Sequence, residues 1–170
     1  MARITGQFTL RSGQQATEYF DKYRFEADPA LLVDVGAALA ALVPEGTEVL
    51  AGLELGGVPL ATALSLHSGL PAAFVRKEAK TYGTCRLAEG AEVDGRRVLV
   101  VEDVVTTGGQ VVTSIGQLRD AGAVITHAVC VIDRSTGGEG AAALAAVGVE
   151  LRPLLVRADL DAARAQAESV

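Results

Sequence analysis

Apolar and polar positions change period repeatedly along this chain, and each change marks an element. Asp28 and Pro29 read as a helix start, a capping acid followed by a proline suited to the first turn. The apolar stretch Leu31 to Leu42 continues that helix up to Pro44-Glu45-Gly46. Beyond it, short apolar runs alternate with helical periods. Glu48 to Gly52 reads as a strand, Pro59 to His67 as a helix and Pro71 to Val75 as a second strand. Arg76 to Asp94 has no period and reads as a long polar loop with hairpin character. Arg97 to Glu102 is a buried strand; Val111, Ile115 and Leu118 then mark one face of a helix that Gly122 stops. Ile125 to Ile132 is a strand, Ala141 to Ala146 a short helix, Val149 to Leu155 a strand and Asp159 to Glu168 a closing helix.

Strands alternating with helices predict an α/β fold, a doubly wound and mainly parallel sheet with helices on both faces. Ligands of such sheets bind beyond the carboxyl ends of the strands, so the strand-to-helix turns carry the functional interest. The segment before Asp28 is different. It is polar, yet holds three of the four phenylalanines and two of the three tyrosines.

Composition narrows the function classes. The 170 residues suit a single domain, and 49% hydrophobic against 21% charged residues excludes disorder as the main state. No apolar run reaches the roughly 20 residues of a membrane span, and the first residues carry no apolar leader, so a cytoplasmic protein is expected. A net charge of −6 argues against nucleic acid and anionic membranes as partners. Cys85 and Cys130 make no disulfide framework, and His67 and His127 lie too far apart in sequence to suggest a metal site. The chain has three lysines, Lys22, Lys77 and Lys80, and two of them fall within four residues of each other.

Three turns and two further segments hold candidate chemistry. The strongest is Glu102-Asp103-Val104-Val105-Thr106-Thr107-Gly108-Gly109, followed by Gln110. A buried strand delivers two acids, and a hydroxyl- and glycine-rich turn then opens a helix. Such a helix start cradles phosphate, and the acids suit a vicinal diol, a magnesium ion or a developing positive charge. Together they suit a sugar phosphate. Leu55-Gly56-Gly57 repeats the strand-turn-helix grammar and could receive a second anion, whereas a plain packing turn would read the same way. Arg76-Lys77-Glu78-Ala79-Lys80, followed by Tyr82, reads as a basic lid for a diphosphate or as a solvated charge run. Arg134, after Asp133, stands where a guanidinium can grip a carboxylate. Arg11, with Tyr19 and Phe20, offers a cation and two rings that could stack on a base or pack in a core.

In this order the segments resemble a type I phosphoribosyltransferase, and within that superfamily the orotate phosphoribosyltransferases. The resemblance runs from about Phe8 to Gly138. It implies one phosphoribosyltransferase domain over 1–170, with a hood-like base-binding segment over about 1–27 and a flexible catalytic loop over about 76–94. It implies transfer of a phosphoribosyl group from 5-phosphoribosyl 1-diphosphate to orotate. In this reading Glu102 and Asp103 hold the ribose and stabilise its cationic form. Val104, Val105, Thr106, Thr107, Gly108, Gly109 and Gln110 surround the 5-phosphate, and Leu55, Gly56 and Gly57 line the diphosphate. Arg76, Lys77, Lys80 and Tyr82 meet the leaving group, with Lys80 foremost. Thr106, Arg134, Arg11, Tyr19 and Phe20 contact orotate. The implied cofactor is Mg2+, held mainly through the substrate with Glu102 and Asp103 at hand, and the implied assembly is a homodimer with shared sites. The alternatives are a purine or xanthine phosphoribosyltransferase and a non-catalytic sensor of phosphoribosyl diphosphate. Three positions depart from common family residues: Tyr82 stands for histidine, Arg11 for lysine and Gly56 for lysine.

Overall fold

The computed structural model of the chain describes residues 3–9, 15–20, 23–77 and 87–168. It opens with an antiparallel hairpin, β1 (Arg3–Thr9) and β2 (Gln15–Phe20), followed by a short helix α1 (Tyr23–Glu26). The hairpin escapes the sequence pattern because its polar residues do not alternate cleanly with apolar ones. Helix α2 (Pro29–Ala40) starts as expected: the Asp28 carboxylate accepts from the amides of Ala30 at 3.0 Å and Leu31 at 3.3 Å.

The rest winds a six-stranded sheet. In chain order it contains β3 (Val49–Leu53), α3 (Gly57–Ser68), β4 (Ala72–Val75), β5 (Ala88–Gly90) and β6 (Arg97–Val105). Then come α4 (Gly109–Asp120), β7 (Val124–Asp133), α5 (Glu139–Ala145), β8 (Glu150–Val156) and α6 (Arg157–Glu168). The strand order is β5-β4-β3-β6-β7-β8, parallel throughout except that β5 runs antiparallel to β4. The doubly wound, mainly parallel sheet read from the sequence is therefore the observed one. The hairpin character expected of 76–94 is the β4–β5 pair, closed where the Arg76 amide donates to the Leu87 carbonyl at 3.0 Å.

Each face of the sheet carries its own core. On one face Val98 and Val100 of β6 pack with Val111, Ile115 and Leu118 of α4 and with Leu144 of α5. On the other, Leu99 and Val101 pack with Leu39 of α2 and Leu60 and Leu64 of α3. Leu39, Leu60 and Leu64 are completely buried, and each contributes about 1.5–3 kcal/mol relative to an exposed side chain. Cys130, on β7, is buried in the first core, and burial pushes its thiol pKa up, so it packs as a small hydrophobe.

Candidate active site

The turns after β3, β6 and β7 lie at the carboxyl edge of the sheet because those strands are parallel and in register. Gly52 pairs with Val101, and Val105 pairs with Asp133. The Arg134 amide donates to the Val105 carbonyl at 2.8 Å, and the Ser135 amide to Asp133 Oδ1 at 2.9 Å, which ties the ends of β6 and β7 together.

A cavity of about 320 Å³ opens at this edge. Glu54 and Leu55 line it from the turn after β3, Lys77 from beyond β4, and Glu102 with Val104 to Val111 from the end of β6 and the start of α4. Its α4 side is a bare helix start. Gly108 occupies the N-cap with φ +76°, a left-handed conformation that a glycine accepts without strain, and no side chain caps the helix. The first amides of a 12-residue helix thus face the cavity unclaimed by a cap, with the exposed Thr106 and Thr107 beside them. An anion fits this end, and the carboxylate of Glu102 stands in the same cavity.

The two adjacent acids are placed differently. Glu102 is 8% exposed and lines the cavity; Asp103 is fully buried and faces the α3 side of β6. Alternation along the strand separates them. Backbone amides tie both: the Asp103 amide donates to Glu102 Oε1 at 2.9 Å, and the Val104 amide to Asp103 Oδ1. Asp103 Oδ2 lies against Gly56, at a point where any side chain at position 56 would collide with it. The glycine that departs from the usual family lysine is therefore the residue this arrangement requires.

The remaining residues singled out by the sequence are distributed as follows. Leu55 is exposed in the cavity, and Gly56 and Gly57 are buried behind it; the Glu54–Leu55 peptide is cis. Lys77 lines the cavity, whereas the half-buried Arg76 is not among its lining residues. Arg134 is half-buried at the end of β7; burial lowers its pKa first, and the nearby positive charge of Arg157 adds to that. Tyr19 and Phe20 lie on β2, paired across the hairpin with Ile4 and Arg3. Arg11, Lys80 and Tyr82 lie outside the described residues. Two acids escape a sequence-based search for site residues. Glu54 lines the cavity, and Glu26 is buried with its Oε1 close to Gly56. Glu54 stands beside the glycine turn, a signal that could have found it. An isolated glutamate after Phe25 gives no such signal.

Comparison with known proteins agrees with this geometry. The family described as "Phosphoribosyl transferase domain" matches residues 24–152. An orotate phosphoribosyltransferase of Nocardioides sp. is 61% identical over 164 residues, 96% of this chain and 90% of that protein. The chain belongs to the orotate phosphoribosyltransferase family. A second member, from Methanocella arvoryzae, is 46% identical over 91% of this chain and 87% of its own. Among solved structures, the orotate phosphoribosyltransferase of Mycobacterium tuberculosis in complex with 5-phospho-α-D-ribosyl 1-diphosphate superposes with a TM-score of 0.77. It is 36% identical, and the match covers 91% of this chain and 89% of that one. The family match begins after the hairpin, at residue 24, and takes in all three strand-end turns.

Proposed function

We infer that the chain transfers the 5-phosphoribosyl group of 5-phosphoribosyl 1-diphosphate to N1 of orotate, giving orotidine 5′-monophosphate and diphosphate. The observation that carries this reading is one cavity holding both an uncapped helix start and a strand-end carboxylate, in a chain 61% identical to an orotate phosphoribosyltransferase. Thr106 to Gln110 would wrap the 5-phosphate, with Val104 and Val105 as the wall behind it. Glu102 would hold a ribose hydroxyl, with Asp103 as its neighbour on the ring. The bond from C1′ to the diphosphate oxygen breaks with its electron pair leaving on diphosphate. N1 supplies the pair for the new C1′–N1 bond and gives up its proton. Between these events C1′ is cationic, and preorganised carboxylates stabilise that charge. Leu55, Gly56 and Gly57, together with Arg76, Lys77, Lys80 and Tyr82, would receive the diphosphate. Arg134, Thr106, Arg11, Tyr19 and Phe20 would hold the base.

The donor set fits a magnesium ion held mainly by substrate oxygens. Glu102 gives the cavity a carboxylate beside the uncapped helix start, a hard oxygen donor of the kind such an ion accepts. When bound, the ion neutralises charge on the departing diphosphate. Diphosphate release that requires both orotate and phosphoribosyl diphosphate tests the reaction; excess chelator is expected to abolish it and added Mg2+ to restore it. Full turnover in chelator would contradict the metal assignment, and release without orotate would contradict the transfer.

Arg134 offers a separate test. Arg134→Ala is expected to raise the orotate KM roughly ten- to a hundredfold, the loss of one charge-assisted contact, with a much smaller change for phosphoribosyl diphosphate. Equal losses for both substrates would make Arg134 a support of the β6–β7 edge instead.

No described helix is long and apolar enough to cross a membrane. We propose that the enzyme works as a cytoplasmic homodimer with shared sites.

A further inference from the structure

The charged side chains of the cavity do not match an anionic substrate. Among the described residues its lining holds two carboxylates, Glu54 and Glu102, and one ammonium, Lys77. The uncapped start of α4 adds a positive pole at one end, and that influence falls off within the first turn. Phosphoribosyl diphosphate brings several negative charges into this space, so each carboxylate repels it unless something positive stands between them. For Glu102 that is the cationic C1′ of the transfer reaction. Glu54 has no part in the reaction as described.

Glu54 is placed by the sheet. It follows β3 directly, and its amide donates to the Val75 carbonyl at 2.8 Å, just past the Leu53–Val75 pair of β3 and β4. Its side chain is half-buried. Among the described residues its carboxylate makes no hydrogen bond or ion pair, not even with Lys77 in the same cavity. The backbone is therefore fixed, and the charge is left for an incoming group.

We propose that Glu54 receives the divalent cation that travels with the diphosphate group, and so selects metal-bound over bare diphosphate. This rests on the phosphoribosyl-transfer reading of the cavity. Glu54 stands directly before Leu55, Gly56 and Gly57, the turn expected to line the diphosphate, whereas Glu102 belongs to the expected ribose end. Magnesium is usually bound through one or two carboxylates, with substrate phosphate oxygens and water completing its shell. Glu54 supplies such a carboxylate where the diphosphate is expected. Its effect changes sign with the metal: it repels bare diphosphate and attracts the diphosphate that carries a cation.

Calorimetric binding of diphosphate to the whole enzyme, once with excess Mg2+ and once with excess chelator, tests this without turnover. In the native chain Mg2+ should tighten binding. Glu54→Gln keeps the size of the side chain and removes its charge. It is expected to weaken binding of diphosphate with Mg2+ roughly tenfold or more, the order of loss usual when a group that supports a metal is removed. Bare diphosphate should bind to it as tightly as to the native chain, or more tightly. A merely structural role would not give this pattern, because a distorted turn weakens both forms alike. Glu54→Asp keeps the charge and should lie nearer to native than Glu54→Gln with Mg2+. If Glu54→Gln is too unstable to titrate, Glu54→Ala makes the same comparison. Equal weakening of both forms, tighter binding of both, or an unchanged Mg2+ form would overturn the role of Glu54. A native chain that binds diphosphate equally with and without Mg2+ would overturn that role and leave the transfer reading standing. No binding of diphosphate by the native chain under either condition would overturn both. The expected pattern in an enzyme that leaves orotate unconsumed would uphold Glu54 and overturn the orotate reading alone.

Discussion

Glu102→Gln is expected to lower kcat by on the order of 10²-fold, with stability changed by less than about 1 kcal/mol. Glu102 is the carboxylate at the end of β6 that lines the cavity. Its Oε1 already accepts the Asp103 amide, an interaction the amide oxygen of glutamine preserves. If Glu102 stands beside the ribose as proposed, the substitution removes negative charge from the place where C1′ turns cationic and leaves the strand end folded. Substrate binding should fall less than kcat, because the charge being stabilised develops only in the transition state. Steady-state kinetics with a thermal melt checks both halves. A variant with near-native kcat would mean that Glu102 serves only to hold the Asp103 amide. A variant that loses activity because it unfolds would show as a shifted melt.

The second large effect concerns the assembly. If the site is shared between the subunits of a homodimer, Lys80 of one chain serves the Glu102 of the other. Lys80→Ala and Glu102→Gln should each be nearly inactive alone. Mixed in equal amounts and allowed to exchange subunits, they should form about half mixed dimers, each with one intact site, and so return about a quarter of native activity. No recovery after subunit exchange has been demonstrated would place Lys80 in its own chain's site and reject the shared arrangement.

Much of this architecture is legible in the residues. β6 and α4 announce themselves by a continuous apolar run followed by Val111, Ile115 and Leu118 at helical spacing, and both are observed there. The Thr-Thr-Gly-Gly turn between them opens the cavity, as its glycine and hydroxyl content suggests. Strand ends are harder to read. β6 runs on through Asp103 to Val105, because pairing with β7 extends it past the point where its apolar pattern stops. That extension also separates the two acids in burial: Glu102 lines the cavity, whereas Asp103 is fully buried against Gly56. The place of Glu26 beside Asp103 is not legible at all. It depends on two segments that meet only in the folded chain, and on the missing side chain of Gly56 between them. The β1–β2 hairpin is hidden for a related reason, since a small two-stranded sheet outside the main core imposes little apolar alternation on its sequence.

The most direct measurement of the central claim offers the enzyme phosphoribosyl diphosphate and Mg2+ with orotate, adenine, hypoxanthine and xanthine in parallel, following nucleotide formation and diphosphate release. An orotate phosphoribosyltransferase forms orotidine 5′-monophosphate and diphosphate in equal amounts from orotate, and no nucleotide from the purines; that is the expected result. Nucleotide formed from a purine while orotate remains unconsumed would contradict it.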